Sequence, residues 1–397
     1  MTRADVFPTN APRLGRAITC AFCTGLIGIG LARFAYTPLL PAVINAHWFS
    51  PSEAAYLGAA NLAGYLAGAL LGRPVSARSS VVGLLRAMML LATASFFACG
   101  FPVSFTWFFA WRFAAGFAGG AMMVLAAPTV LAHVPPSRRG LAGGLIFMGV
   151  GSGVVASGTL IPFLLQIGLQ ETWIGLGALS LALTAVAWSG WPDTPPPQLP
   201  SAEHAHAPHS SALRALYTEY ALNAAGWVPH MIFLVDFISR GLGRGVEVGA
   251  IFWVVFGISA TFGPILSGHV ADRIGFGPAL RAAFGLEIIA LAIPALHITN
   301  LTLLFVSSII VGAFLTGTVT LVLGRIHELL PHHPQEQKAA WSIATIAFAL
   351  CQAAAAYGLS FVFAKSGGDY QLLFMIGSAS MTLALAIDLI FDRRTNR

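Results

Sequence analysis

The stretch AITCAFCTGLIGIGLARFAYTPLLPAVI, residues 17–44, contains a single charged side chain, that of Arg33. The stretch is long enough to cross a lipid bilayer, since about 20 apolar residues suffice for a helix. An arginine at this depth keeps its proton, and its burial at the bilayer centre costs at least about 2.5 kcal/mol. Water, backbone carbonyls, a carboxylate from elsewhere in the chain or an anionic ligand must therefore compensate the charge.

Apolar runs of this length recur along the whole chain. The 397 residues are 57% hydrophobic and only 9% charged, with a mean hydropathy of +0.78, whereas soluble proteins carry about 25% charged residues. We therefore predict an all-α membrane protein with twelve transmembrane helices. The predicted spans are residues 17–44, 53–72, 81–101, 103–127, 141–165, 171–190, 214–239, 248–268, 279–298, 301–326, 338–364 and 370–391.

A polar segment divides the spans into two groups of six. Residues 192–211 contain six prolines and three histidines, which is too polar to span and too rich in proline for a helix. Some spacings also repeat with an offset of 196 residues. With this offset, Arg112 and Gly116 of the first half align with Ser308 and Gly312 of the second. Two related six-helix bundles follow from this pattern. The predicted domains are a cytoplasmic N-terminus (1–16), a first bundle (17–190), a cytoplasmic linker (191–213), a second bundle (214–391) and a cytoplasmic tail (392–397).

The basic residues are distributed unevenly between the two membrane faces. Sixteen fall on the side of the termini and three on the other side, with Arg33 and Arg112 inside spans. The positive-inside rule then predicts that both termini are cytoplasmic. These basic loops are ordinary topology signals, so no nucleic-acid partner is expected. The sixteen are Arg3, Arg13, Arg16, Arg73, Arg78, Arg86, Arg138, Arg139, Arg214, Arg273, Arg281, Arg325, Lys338, Arg393, Arg394 and Arg397, and the three are Arg240, Arg244 and Lys365.

The end of the eighth predicted span carries the motif Gly268-His-Val-Ala-Asp272-Arg273-Ile-Gly275. It resembles the G-x-x-x-D-R-x-G loop of the major facilitator superfamily, which joins the second and third helices of each half. The resemblance implies that Gly268, Asp272 and Arg273 act as a gate that latches one conformation. The first-half copy, which begins at Gly72, has Ser76 in place of the aspartate.

Two further motifs resemble the same superfamily. Arg112-Phe-Ala-Ala-Gly116 is similar to its fourth-helix motif, and Gly28-Ile-Gly-Leu-Ala-Arg33-Phe-Ala-Tyr-Thr-Pro-Leu-Leu-Pro41 looks like the first-helix signature of the YbfB/YjiJ-like bacterial branch. The resemblance implies the major facilitator fold, secondary transport of a small molecule, a bacterial inner membrane as location and a monomer. It implies little about the substrate.

Arg33 and Arg112 are the leading candidates for a substrate site. No Asp or Glu occurs between Glu53 and Glu171, and in the superfamily fold the first and fourth helices line the central cavity. Both arginines are predicted at a similar depth, about 13–17 Å from one membrane surface at a rise of about 1.5 Å per residue. One interpretation is a shared clamp on a carboxylate, phosphate or sulfonate. The alternative is structural, with each guanidinium bonded to helix carbonyls.

Further polar residues are predicted to face the cavity or to carry protons. Substrate contacts are expected from Tyr36, Asn61, Tyr65, Asn223, Trp227 and Gln352. His230 lies near the repeat-related position of Arg33, and it and Asp236 are candidates for proton coupling, although Asp236 also has the i,i+4 spacing for a pair with Arg240. Glu287, in the middle of the ninth span, is interpreted as one member of a structural pair at a helix contact.

The sequence has no ATP-binding loop of the type Gly-x-x-x-x-Gly-Lys-Ser/Thr, and no catalytic triad or metal-ligand spacing stands out. We therefore predict no enzyme activity and no cofactor, and expect secondary transport driven by protons. Three alternatives remain open at this point. They are efflux of amphipathic compounds with the arginines structural, a passive channel, and a membrane receptor that transports nothing.

Overall fold

The computed structural model describes residues 11–131, 133–134, 139–192, 211–331 and 334–395. Within these residues, twelve helices are long and apolar enough to cross a membrane, which confirms the predicted number of spans. They comprise Arg13–Asn45, Pro51–Ser76, Val81–Cys99, Phe105–Leu131, Ala142–Leu165, Leu169–Val186, Ser211–Gly241, Gly245–Ile274, Phe276–Ala295, Leu301–Leu329, Ala339–Lys365 and Tyr370–Phe391. We refer to them as the first to the twelfth span.

The helices pack as two six-helix bundles with the same internal pattern. In the first bundle the second span packs on the fourth, the third on the fourth and sixth, and the first on the fifth. The second bundle repeats these pairings between the eighth and tenth, the ninth and tenth, the ninth and twelfth, and the seventh and eleventh spans. The bundles meet where the fifth span packs on the eighth and the second on the eleventh. Most of the predicted linker lies outside the described residues, so the domain boundaries stay predictions.

The first and seventh spans are both interrupted near their middle. The first consists of the helix Ala11–Gly25, a π-helical segment Leu26–Leu31, a turn, and the helix Tyr36–Asn45. Residues 32 and 34 continue the wide π turn, because their amides donate five residues back, to the carbonyls of residues 27 and 29. Pro38 has no backbone N–H, so it cannot donate a regular helical hydrogen bond just after the turn. Free backbone groups are thereby exposed to side chains in the middle of the membrane.

The interruption of the seventh span occurs at the corresponding place. The helix Ser211–Gly226 ends at Trp227, a second helix runs from Val228 to Asp236, and a π-helical segment Phe237–Gly241 follows. Pro229 stands directly after the break. Discontinuous helices of this kind line the binding sites of many transporters, because their free backbone groups and mobile halves lie at the centre of the membrane.

Glycines allow the first and fourth spans to approach their neighbours closely. A Cβ atom on Gly30 would lie 2.6 Å from the Cα of Gly153 in the fifth span. A Cβ on Gly116 would lie 1.8 Å from the carbonyl oxygen of Asn61 in the second span. Backbones at these distances leave no room for any side chain. The break in the first span is therefore held tightly against the fifth span, and the fourth span against the second.

The two bundles are in contact at the membrane face opposite to the one at which the first span begins. We call the face where the first and seventh spans begin the terminus face and the other the far face. Towards the far face, the helices Tyr36–Asn45 and Val228–Asp236 pack together, and the Thr37 hydroxyl donates to the Met231 carbonyl. Near the terminus face, parts of both spans are exposed. The bundles are thus closed against each other on the far side of Arg33.

Candidate functional site

The Arg33 side chain leaves the break in the first span and reaches the seventh span. Its Nε and Nη2 donate to the sulfur of Met231 at 3.3 and 3.1 Å. The guanidinium carbon lies 5.2, 5.1 and 5.5 Å from the ring centres of Phe34, Tyr65 and Trp227. The residue is only 8% exposed. Three aromatic rings and one thioether thus surround a permanent positive charge at the boundary between the bundles.

This environment gives Arg33 no strong hydrogen-bond acceptor. A thioether accepts weakly, and a desolvated cation–π contact contributes about 2 kcal/mol. Among the residues that the structure describes, Arg33 forms no ion pair. The site can therefore accept an anionic group in place of the sulfur.

Gln352 is a second buried polar residue in this region. It lies on the eleventh span, is 1% exposed, and has no partner for its amide oxygen or nitrogen within the described chain. Phe348, one turn earlier, contacts Trp227 with ring centres 5.8 Å apart, and Phe363, on the same helix face, contacts Phe233 at 5.0 Å. Residues on one helix face meet the same neighbour. Gln352 therefore faces the seventh span close to its break.

Arg112 makes a different set of contacts. Its Nη1 donates to the Ala32 carbonyl at 2.8 Å, and its guanidinium carbon lies 4.4 Å from the ring centre of Tyr36. The Asn61 amide donates to the same Ala32 carbonyl at 3.3 Å and to the Arg112 carbonyl at 3.1 Å. Nε of Arg112 has no partner in the part of the chain that the structure describes. Arg112 thus connects the fourth span to a free carbonyl in the break of the first.

The structure does not bring the two guanidiniums into one set of contacts. Arg33 faces the second bundle, whereas Arg112 contacts only the first span through its hydrogen bond and its ring contact. No described hydrogen bond, ion pair or ring contact is common to both side chains. The shared anionic site therefore stays a prediction.

Three predicted binding residues use their polar groups within the protein. The Tyr36 hydroxyl donates to the Ala54 carbonyl at 2.8 Å. The Asn61 amide bonds the two carbonyls named above, and the Asn223 amide donates to Oε2 of Glu287 at 2.9 Å. In this conformation these side chains connect neighbouring helices. Of the other candidates, Tyr65 and Trp227 lie against Arg33, and the amide of Gln352 has no partner among the residues that the structure describes.

His230, a candidate for proton coupling, points into the second bundle. The Ser307 hydroxyl donates to the Ala290 carbonyl at 2.7 Å, so it must accept from Nε2 of His230, 2.9 Å away. The proton therefore resides on Nε2 in the neutral ring. Nδ1 is buried and has no partner among the described residues, while Phe374 packs edge-on against the ring. A charged imidazole would need an acceptor that this arrangement does not offer.

Two buried acids of the second bundle also have partners. Asp236 accepts from Arg240 at 3.1 and 3.2 Å and from the Tyr370 hydroxyl at 2.6 Å, so the i,i+4 pair that its spacing indicates is present. Glu287 pairs with Asn223, at a contact of the ninth span with the seventh. Asp236 lies at the far face next to a surface pocket that Arg240 lines. Glu287 is completely buried.

The predicted gate residues lie at the terminus face. Asp272 and Arg273 are exposed and make no hydrogen bond or ion pair with described residues, and Gly268 lies one turn before them. Gly275 has a φ of 87°, a conformation that favours glycine, and begins the turn into the ninth span. Glu328 of the tenth span accepts from the next backbone amide at 3.0 Å and so fixes this turn.

Met231 was not predicted as a site residue, although it is the hydrogen-bond partner of Arg33. It lies 198 residues after Arg33, close to the repeat offset that pointed to its neighbour His230. The offset therefore identified the correct part of the seventh span but not the side chain that faces the first. The orientation of the helix that begins near Pro229 turns Met231, and not His230, towards Arg33.

Comparisons with known proteins identify the fold. A family model described as "Uncharacterised MFS-type transporter YbfB" matches residues 25–389. A solved D-xylose–proton symporter is similar with a TM-score of 0.76 and 14% identity, covering 94% of this chain and 96% of that one. The xylose transporter XylE of E. coli, in a partially occluded inward-open conformation, has a TM-score of 0.72 and 14% identity, covering 95% of this chain and 97% of that one.

A bacterial homolog of the human lysosomal transporter Spinster, in an inward-facing and occupied conformation, is also similar. Its TM-score is 0.70 at 18% identity, with 95% of this chain and 96% of that chain covered. No curated protein sequence matches the chain. Together with the family model, the similarity to these three transporter structures confirms the predicted major facilitator fold. At these identities they carry no information about the substrate.

Proposed function

Because this chain belongs to the YbfB branch of the major facilitator superfamily, it is a membrane transporter and not an enzyme, and we propose that it carries a small organic anion together with protons. The transporter class follows from the family, as does alternating access of one site to the two faces of the membrane. The substrate and the coupling ion rest on the site itself. The same family membership argues against the non-transporting receptor and the passive channel.

The environment of Arg33 carries the proposal of an anion. The guanidinium is nearly buried, contacts both bundles and, among the residues that the structure describes, has a sulfur and aromatic rings as its neighbours. A carboxylate or sulfonate that displaces the sulfur would form two charge-assisted hydrogen bonds, which contribute about 1.5–3 kcal/mol each. The bound group would still lie between the bundles, since Arg33 belongs to the first and Trp227 and Gln352 belong to the second. An anion therefore both neutralises the charge and favours the closed conformation.

The aromatic rings narrow the proposed substrate class. The body of the substrate would lie between Tyr65, Trp227 and Phe348, which offer flat apolar faces. Gln352 would donate to or accept from a further polar group of the substrate, since neither end of its amide has a partner in the described part of the chain. Aromatic monocarboxylates and sulfonates fit this combination. Arg112, in contrast, is assigned the task of holding the break in the first span.

The proposal is tested with purified protein in detergent and four probes of similar size. Benzoate and phenylacetate are expected to raise the unfolding temperature, whereas benzyl alcohol and benzylamine are not. Benzenesulfonate remains charged and does not cross a bilayer unaided, so it is the probe for uptake into proteoliposomes. An inside-alkaline pH gradient is expected to drive its accumulation. Stabilisation by benzylamine alone would favour export of amphipathic cations instead, and uptake that ignores the pH gradient would refute the coupling.

The proposed location is a bacterial inner membrane with the terminus face in the cytoplasm. The charge bias of sixteen basic residues to three supports this orientation. A reporter that is active only in the cytoplasm, fused after Pro196, is expected to be active, and the same reporter inserted after Gly367, between the last two spans, is expected to be inactive. The opposite pattern of activities would invert the topology.

A further inference from the structure

Glu287 is a buried acid that the proposed anion site does not use. It lies in the middle of the ninth span and is 0% exposed. Its Oε2 accepts one hydrogen bond, from Asn223, while Oε1 is buried without a partner in the described part of the protein. An ionised carboxylate in this position would lack both water and a cation, which is far more costly than a neutral carboxyl group. In this conformation the Glu287 side chain therefore holds one proton and is neutral.

Glu287 is connected to the substrate site through a single helix segment. Asn223 belongs to the segment Ser211–Gly226, which ends at the break of the seventh span. Trp227, four residues after Asn223, is the residue whose ring lies 5.5 Å from the Arg33 guanidinium. One helical turn thus separates the group that holds Glu287 from the group that contacts Arg33. A displacement of Trp227 moves Asn223 as well.

The segment Ser211–Gly226 also packs tightly against the twelfth span close to Glu287. The Asn223 amide has the Met381 sulfur of the twelfth span at 3.4 Å as a second acceptor. A Cβ on Gly226 would lie 2.7 Å from the Met381 side chain, so the seventh and twelfth spans touch here without any spare space. Any tilt of the segment must therefore change the hydrogen bond to Glu287. Loss of that bond, together with access of water, would allow the carboxyl group to ionise.

The surrounding charged groups do not pair with Glu287 and would not neutralise the charge of its ionised carboxylate. Glu219 of the seventh span, Arg325 of the tenth and Asp388 of the twelfth form a cluster with Arg281, which pairs with Asp388. Arg281 is six residues from Glu287 along the ninth span, about 9 Å. Of the other titratable residues of the seventh span, His230 is bonded to Ser307, and Tyr220 packs on Phe348 of the eleventh span. The eighth span carries its charged residues, such as Asp272, near its exposed ends.

The same cluster offers protons a route. Glu219, Arg325 and Asp388 line a pocket near the terminus face. Glu219 lies one turn before Asn223 on the same helix, about 6 Å along its axis. A proton that leaves Glu287 can therefore pass to the water of this pocket when the segment moves.

We infer that Glu287 binds the coupled proton, and that the hydrogen bond from Asn223 links its release to the movement of Trp227 at the anion site. This role rests on the proposed proton-coupled function. With the segment in its present position, Glu287 is protonated and shielded. When Trp227 moves away from Arg33 and the segment tilts, Asn223 separates from Oε2, and the proton passes to the water of the terminus-face pocket. Binding of the next proton restores the arrangement.

The first test requires no substrate. Infrared spectra of the purified wild-type protein at neutral pH are expected to contain the carbonyl stretch of a protonated carboxylic acid that exchanges slowly with deuterium. The band should be absent in Glu287→Gln, shifted in Glu287→Asp, and unchanged in Glu247→Gln, which alters an exposed glutamate at the start of the eighth span. A band that persists in Glu287→Gln would overturn the assignment.

The second test separates the role of Glu287 from the proposed function. A gradient of one pH unit supports at most about tenfold accumulation of benzenesulfonate per proton carried. Glu287→Gln is expected to keep exchange of labelled for unlabelled benzenesulfonate, which also shows that it is folded, and to lose the gradient-driven accumulation. A wild-type protein that ignores the gradient would refute the proton coupling itself. If the wild type and Glu287→Gln accumulate the probe equally, only the assignment of Glu287 fails.

Discussion

Arg33→Gln is expected to abolish the thermal stabilisation that benzoate gives the wild-type protein. The substitution keeps hydrogen-bonding ability but removes the charge and the forked pair of donors that now face the Met231 sulfur. Loss of both charge-assisted bonds, at about 1.5–3 kcal/mol each, weakens binding by about a hundredfold or more. A ligand at about 100 times its Kd stabilises by about 2.7 kcal/mol, so nearly all of this effect should vanish.

Arg33→Lys is expected to fall between the wild type and Arg33→Gln, because an ammonium group keeps the charge without the fork. The control is Arg86→Gln. Arg86 also stacks on an aromatic ring, that of Trp188, and donates to a carbonyl, but it lies at the protein surface. Its substitution should leave the benzoate effect unchanged. Full benzoate stabilisation in Arg33→Gln would end the proposal of an anion site at this residue.

Hydropathy and spacing were sufficient to predict the helices of this protein. The twelve apolar runs recur as twelve spans because a membrane helix must satisfy its own backbone and present apolar side chains, which leaves a clear trace in the sequence. The Asp236–Arg240 pair was also accessible, since residues four apart lie on one helix face. Such local rules do not need the tertiary structure.

Contacts between distant helices could not be predicted in the same way. Whether Arg33 or Arg112 faces the second bundle depends on the helix rotation at the first-span break, where π turns replace the regular period. The pairing of Glu287 with Asn223 depends on how the ninth span packs on the seventh, which no spacing within either helix encodes. The sequence indicated that these polar residues were buried and important. Only the packing shows which of them have partners and which do not.

Arg112→Ala is expected to lower the stability of the protein strongly while leaving its response to benzoate intact. The substitution removes the hydrogen bond to Ala32 and the contact with the Tyr36 ring, and it opens a void between the first and fourth spans. Large-to-small substitutions at buried sites cost about 2–5 kcal/mol. The unfolding temperature in detergent should fall accordingly, and benzoate should still raise it by about the wild-type increment.

Arg112→Met distinguishes the lost bond from the void, because methionine fills most of the volume of arginine but cannot donate to a carbonyl. Asn61 continues to donate to the Ala32 carbonyl, so that oxygen keeps one partner. The stability of Arg112→Met is therefore expected to lie between those of Arg112→Ala and the wild type, as measured by thermal unfolding. The contrast with Arg33 is the decisive feature, since one arginine should control ligand binding and the other stability. If Arg112→Met is as stable as the wild type but no longer responds to benzoate, both arginines bind the anion, and the shared site expected from their similar depth is correct.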